Sequence, residues 1–140
     1  MRFMMVVIPK GYETAAADAA PGAEAVAKMM EYNKNLQKAG VLLGLDGLLP
    51  PSTGARVSFT GGKATVTDGP FVEAKEAIGG YWIIQVRSRE EAIEWAKRAP
   101  MSNNETIEVR QIYEMADFPA DVQKAAEGFN ELPSAAAAKA

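Results

Sequence analysis

Cysteine and histidine are both missing from the 140 residues, and the two absences remove much of the chemistry open to a small domain. Without cysteine there is no disulfide, thiol nucleophile or thiolate metal ligand. Without histidine, the side chain that titrates nearest neutrality and most often ligates metals is gone. Acid–base work then falls to carboxylates, lysine or tyrosine with displaced pKa values. No hydrophobic run approaches the ~20 residues that cross a bilayer. The apolar run from Phe3 to Ile8 stops at Pro9-Lys10, short of a signal-peptide core and with no small-residue cleavage site beside it. A cytoplasmic protein is the expectation. An excess of positive charge is also lacking: the net charge is -3, so electrostatics offers no reason to expect nucleic acid or an anionic membrane as partner. The acidic residues show no EF-hand or similar spacing, and neither a metal nor a cofactor is expected.

What is present is an ordinary globular composition, 48% hydrophobic and 24% charged, at a length that suits one domain with a real core. Phe3 to Ile8 is apolar at every position and reads as a strand covered on both sides. Lys10 to Ala20 is an Ala-rich connection expected to be a mobile loop. A helix follows from about Pro21 to the stop at Gly40, with Val26, Met29, Met30 and Leu36 inward, Asn33 interrupting the stripe, and Glu31, Lys34 and Lys38 outward. Val41 to Leu49 reads as a strand bent or bulged near Asp46 between two glycines. Arg56–Thr60 and Lys63–Thr67 alternate strictly around Gly61-Gly62. A two-residue turn there pairs Phe59 with Ala64 and Val57 with Val66, all on one face. Gly80 to Arg87 is another strand, with Trp82, Ile84 and Val86 opposite Tyr81 and Ile83. Ser88 with Glu91 forms a capping box opening a helix that ends before Pro100, with Ala92, Ile93, Ala96 and Ala99 inward. Glu105 to Ile112 is the last strand. Residues 1–114 form the domain, and 115–140 form an extension with a short helix over Pro119–Glu127 and an Ala-rich tail from Ser134.

The order β, α, β, hairpin, β, α, β predicts an α+β fold, a ferredoxin-like antiparallel sheet with both helices on one face. The other face then exposes one alternating set of the apolar residues around Phe3-Met4 and Tyr81-Trp82. Contiguous apolar surface of that kind marks an interface, and a homodimer packed sheet against sheet would cover it.

Between the hairpin and the next strand lies Asp68-Gly69-Pro70-Phe71-Val72-Glu73-Ala74-Lys75-Glu76, closed by Gly79-Gly80-Tyr81-Trp82. A turn, a charged cluster and a double glycine together point to a small-molecule ligand here. Glu73, desolvated by the wall of a cleft, would act as base, with Lys75 or Arg56 anchoring an anion and Tyr81 donating to a substrate oxygen. Arg110, on the last strand, is a further candidate anchor. Each residue also has a plainer role. Asp68 either aims a carboxylate into the cleft or holds its own turn. Phe71 either stacks on a ligand or plugs the core. Asp46 either pairs with a cleft lysine or merely punctuates a bend between glycines. The Glu73-Lys75-Glu76 cluster is either a site or a solvated loop whose ion pairs contribute little.

The run Asp68-Gly69-Pro70-Phe71 with Glu73, Lys75-Glu76 and Gly79-Gly80-Tyr81 resembles the signature of the DGPF branch of the YCII-related family. Gly40-Val41-Leu42, Leu48-Leu49-Pro50-Pro51, Gly61-Gly62-Lys63 and Ile107-Glu108-Val109-Arg110 are similar to that family as well, so the resemblance spans roughly Met1 to Tyr113. It implies a dimeric α+β barrel. Family members are mostly uncharacterised, and the wider superfamily mixes small-molecule enzymes with ligand-binding modules. The His-Asp pair of the better-known YCII-type proteins has no counterpart in a chain without histidine. Some relatives stand beside or fused to extracytoplasmic-function sigma factors, which implies a regulatory setting. Two functions follow as expectations. One is a cofactor-independent isomerase or lyase acting on a small organic acid in the barrel cleft. The other is a non-catalytic dimeric module that binds a metabolite or a protein.

Overall fold

The structure, a computed structural model, describes residues 1–128. Six strands and three α-helices follow in the order β1 (Arg2–Ile8), α1 (Ala23–Lys38), β2 (Leu42–Gly47), β3 (Ala55–Thr60), β4 (Lys63–Asp68), β5 (Gly80–Gln85), α2 (Arg89–Lys97), β6 (Thr106–Gln111) and α3 (Ala120–Ala125). Strands β2, β5, β1 and β6 form a four-stranded sheet in that order, antiparallel throughout. This is a ferredoxin-like α+β arrangement, with β3 and β4 inserted as a separate two-stranded sheet.

Alternation along the strands divides the main sheet into two faces. Phe3, Met5, Trp82 and Ile84 are buried in one cluster with Tyr32 and Leu36 of α1 and Ala92 of α2. Both helices therefore cover the same face. Leu36 is fully buried, and burial of a leucine stabilises by about 1.5–3 kcal/mol. Met4, Val6, Ile8, Tyr81 and Ile83 alternate with this set and lie on the opposite face, which no helix covers among the described residues and where Val6 is buried and the others are half-buried.

The inward face of α1 differs from the expected stripe. Tyr32, Asn33 and Leu36 are the buried residues, whereas Val26 and Met30 are exposed. Asn33 is turned inward because the Trp82 indole Nε1 donates to its Oδ1 at 2.7 Å, so a polar side chain is satisfied inside the core. The Tyr32 hydroxyl donates to the Trp95 carbonyl at 2.6 Å, and burial pushes its pKa up to about 12. Gly40, at φ 74°, ends the helix, and the Val41 amide reaches back to the Leu36 carbonyl at 3.2 Å.

Helix α2 starts as its capping sequence predicts. Ser88 Oγ accepts from the Glu91 amide at 3.1 Å, and Glu91 returns a bond to the Arg87 amide at 2.9 Å. The hairpin register also agrees with the pattern, Val57 opposite Val66 and Phe59 opposite Ala64. Gly61 and Gly62 both have positive φ, as a two-residue turn of this hand requires.

Two local expectations are corrected. The irregularity in β2 falls between Leu42 and Gly44, not at Asp46. Leu43 is the extra residue, next to a glycine that leaves room for the bulge, and Asp46 keeps a regular register opposite Tyr81. The segment after β1 is also more anchored than a free loop. A 3₁₀ turn at Tyr12–Thr14 lies against another at Pro51–Thr53, where the Tyr12 hydroxyl donates to the Leu48 carbonyl and Ser52 Oγ donates to the Ala15 carbonyl.

The start of the extension is tied to the domain. Arg2 Nε and Nη2 donate to the Glu114 carboxylate at 2.7 and 3.2 Å, which holds that carboxyl below its usual range. Tyr113 stacks on Phe118 with ring centroids 4.7 Å apart. The expected short helix is present as α3, and the Ala-rich tail from Ser134 lies outside the described residues. Among the described residues no helix is long and apolar enough to cross a membrane.

Candidate functional site on the open sheet face

The register of four strands builds one row across the open face: Asp46 on β2, Tyr81 on β5, Val6 on β1 and Glu108 on β6. The next row on that face places Ile83 opposite Met4 and Met4 opposite Arg110. Apolar side chains thus form the middle of the surface, with polar ones on the flanking strands.

Asp46 and Tyr81 meet directly. The Tyr81 hydroxyl donates to Asp46 Oδ2 at 2.8 Å. That bond favours the protonated phenol and raises its pKa above the usual tyrosine range. Their spacing is imposed by backbone. A Cβ added at Gly80 would lie 2.8 Å from the Asp46 carbonyl oxygen and 3.3 Å from Gly47 Cα, so β2 and β5 come this close only because residue 80 is glycine. Replacing Asp46 by Asn should bring the Tyr81 pKa down toward its ordinary value, because the negative acceptor is lost. Ultraviolet titration of tyrosinate in the variant and the parent would show the difference.

On the other side of Val6 a groove of about 510 Å³ runs along β1 and β6. Met4, Val6 and Ile8 line it from the sheet, and Glu76, Ala77 and Ile78 line it from the segment that leads into β5. Glu108, Arg110 and Tyr113 complete it. The Arg110 guanidinium lies 3.8 Å from the Glu108 carboxylate, both largely exposed, so that pair holds Arg110 only loosely. Among the described residues no group of three or more acidic side chains is arranged to hold a metal ion.

The central stretch is divided between these surfaces. Asp68 ends β4 opposite Ala55 and is exposed. Its carboxylate makes no hydrogen bond among the described residues, so the local turn bond expected of it is not seen. Arg56 and Phe71 engage each other, the guanidinium 4.1 Å from the ring centroid, a contact of about 0.5–1 kcal/mol. Glu73 and Lys75 are both exposed and form no ion pair among the described residues. The desolvation invoked for Glu73 is therefore not provided within one chain. Glu76 is the member of the cluster that lines the groove. Glu108 and Tyr113 escaped notice as site residues. The alternation of Glu108 and Arg110 with Ile107 and Val109 was the available signal, since it places both charges on the open face.

The α+β sheet thus carries, on the face away from its helices, a tyrosine–carboxylate pair beside a charged groove. Comparison with known proteins goes one step further. The YCII-related domain matches residues 1–116, and the chain belongs to that family. An uncharacterized protein of Rhizobium meliloti (strain 1021) is 33% identical over 86 residues, covering 59% of this chain and 69% of that protein.

Proposed function

We propose that two copies pack open face to open face as a dimeric α+β barrel, and that the cleft they close acts on a small organic acid. The observation that carries this reading is the row Asp46–Tyr81–Val6–Glu108, with Arg110 on the adjacent row. It sets a proton-handling pair and a cation on opposite sides of an apolar floor. Tyr81 and β6 are separated by two strand spacings, about 10 Å, which suits a cyclic or aromatic acid lying across Met4 and Val6. Arg110 would take the substrate carboxylate. Asp46 would accept a proton from carbon, and the Tyr81 hydroxyl would turn its hydrogen bond to the oxygen that gains charge. Return of the proton to another carbon completes an isomerase step, and departure of a neighbouring substituent completes a lyase step. Glu73 and Lys75, exposed in one chain, would be enclosed by the partner subunit at the rim.

A second reading has its own support. Val72 is 99% exposed beside Glu73 and Lys75, a combination suited to docking a protein. In that case the dimer is a non-catalytic module, of the kind that serves a transcriptional regulator. A thermal-shift screen of small organic acids separates the two. An acid should stabilise the parent by several degrees and lose that effect in Arg110→Gln. Incubation of the same acid in heavy water, followed by NMR, should show deuterium entering carbon with the parent and not with Asp46→Asn. Binding without exchange favours the module, and no binding at all removes the small-acid reading.

A further inference from the structure

Among the described residues, nothing covers the apolar face of the β3–β4 hairpin. A two-stranded hairpin alone is marginally stable in water, and among the described residues no third strand extends this one. Its polar face is held to its own chain by Arg56 lying over Phe71. Its base is held by the Gly69 amide, which donates to the Gly54 carbonyl at 2.9 Å. The apolar face is left bare: Val57 is 54% exposed, Phe59 78% and Val66 65%. The face of the main sheet away from the helices is the second apolar surface: Val6 is buried there, and Met4, Ile8 and Ile83 are half-buried.

We infer that this hairpin is an arm that lies on the open face of a second copy, with Phe59 closing that copy's groove, so that each cleft is completed by both chains. This builds on the dimer proposed above and adds the arm to it. A two-fold pair satisfies both bare surfaces at once, since each chain offers one arm and receives one. The areas agree with this. Four strands of about six residues present roughly 380 Å² in projection, and the two hairpin strands add about 200 Å². Side-chain relief raises the accessible area above that projection, toward the roughly 800 Å² per partner that a stable interface buries. The sheet face alone falls well short. Charge agrees as well: the arm carries Lys63 at its tip, and the groove carries Glu76 and Glu108 against Arg110 alone.

The test places the photoreactive residue p-benzoylphenylalanine at position 59 and mixes that variant with ¹⁵N-labelled parent under conditions of subunit exchange. Irradiation should give a covalent pair of twice the chain mass. Its labelled peptide should carry the crosslink in β1, β6 or residues 76–78. Phe59→Ser should weaken the dimer at least tenfold by sedimentation while leaving the far-ultraviolet spectrum of the chain unchanged. A dimer that forms undiminished in Phe59→Ser, or that crosslinks elsewhere or not at all, overturns the arm and leaves the face-to-face dimer standing. A parent that stays monomeric at micromolar concentration overturns both.

Discussion

Replacing Gly69 by alanine should destabilise the protein by about 3 kcal/mol or more, and lower Tm by roughly 10 °C. The side chain of an alanine there would overlap the carbonyl oxygen of Pro51. That oxygen is backbone, in a 3₁₀ turn whose preceding residue, Pro50, is among the fully buried ones. Neither partner can rotate away, so the whole 50–54 segment must move, and with it the Gly69–Gly54 hydrogen bond that anchors the hairpin. Gly54→Ala is the matched control. A Cβ there meets the same oxygen at 3.5 Å, an ordinary contact, and its stability should change by less than about 1 kcal/mol. Thermal and urea melts of the two variants against the parent would measure the contrast. Equal melts for all three would mean that the 50–54 turn yields freely.

Truncating Trp82 should have a comparable effect for a different reason. The indole is buried against Tyr32, ring centroids 5.2 Å apart and nearly perpendicular, and its N–H satisfies Asn33 inside the core. Trp82→Ala removes both contributions and should cost about 4 kcal/mol. Trp82→Phe keeps most of the packing but leaves the Asn33 carbonyl without its donor, a penalty of about 1–3 kcal/mol. Adding Asn33→Leu to Trp82→Phe should recover part of the loss, because the unsatisfied group is then gone. Denaturant melts of the single and double variants form a cycle that isolates this bond. Strict additivity would mean that the two residues act independently.

Residues governed by near neighbours were the ones legible in the sequence. Gly61-Gly62 permits only a two-residue turn, so the pairing of Val57 with Val66 follows from counting. Ser88 and Glu91 are three apart and cap the same helix end. Asn33 is different: within α1 it looks like a break in an apolar stripe, and only Trp82, 49 residues on, makes it an inward residue. The same holds for Asp46, whose role depends on a bulge at Leu43 that sets the register against Tyr81. The signature stretch made Glu73 and Lys75 conspicuous through their charge. The path of the backbone instead brings Glu76 to the groove, and nothing local to the three residues distinguishes it.

The close approach of β2 and β5 at Gly80 has a further consequence. Tyr81 and Asp46 are joined by a side-chain hydrogen bond beside that close approach, whereas the side chains of Met4 and Ile83, paired across β1 and β5, are apolar. Under the proposed function, ligand scope and proton chemistry would fall to separate parts of the same surface. Exchanging Met4 or Ile83 should reshape the apolar part of that surface while the Tyr81–Asp46 pair keeps its geometry, which makes this sheet a divisible scaffold for redesign.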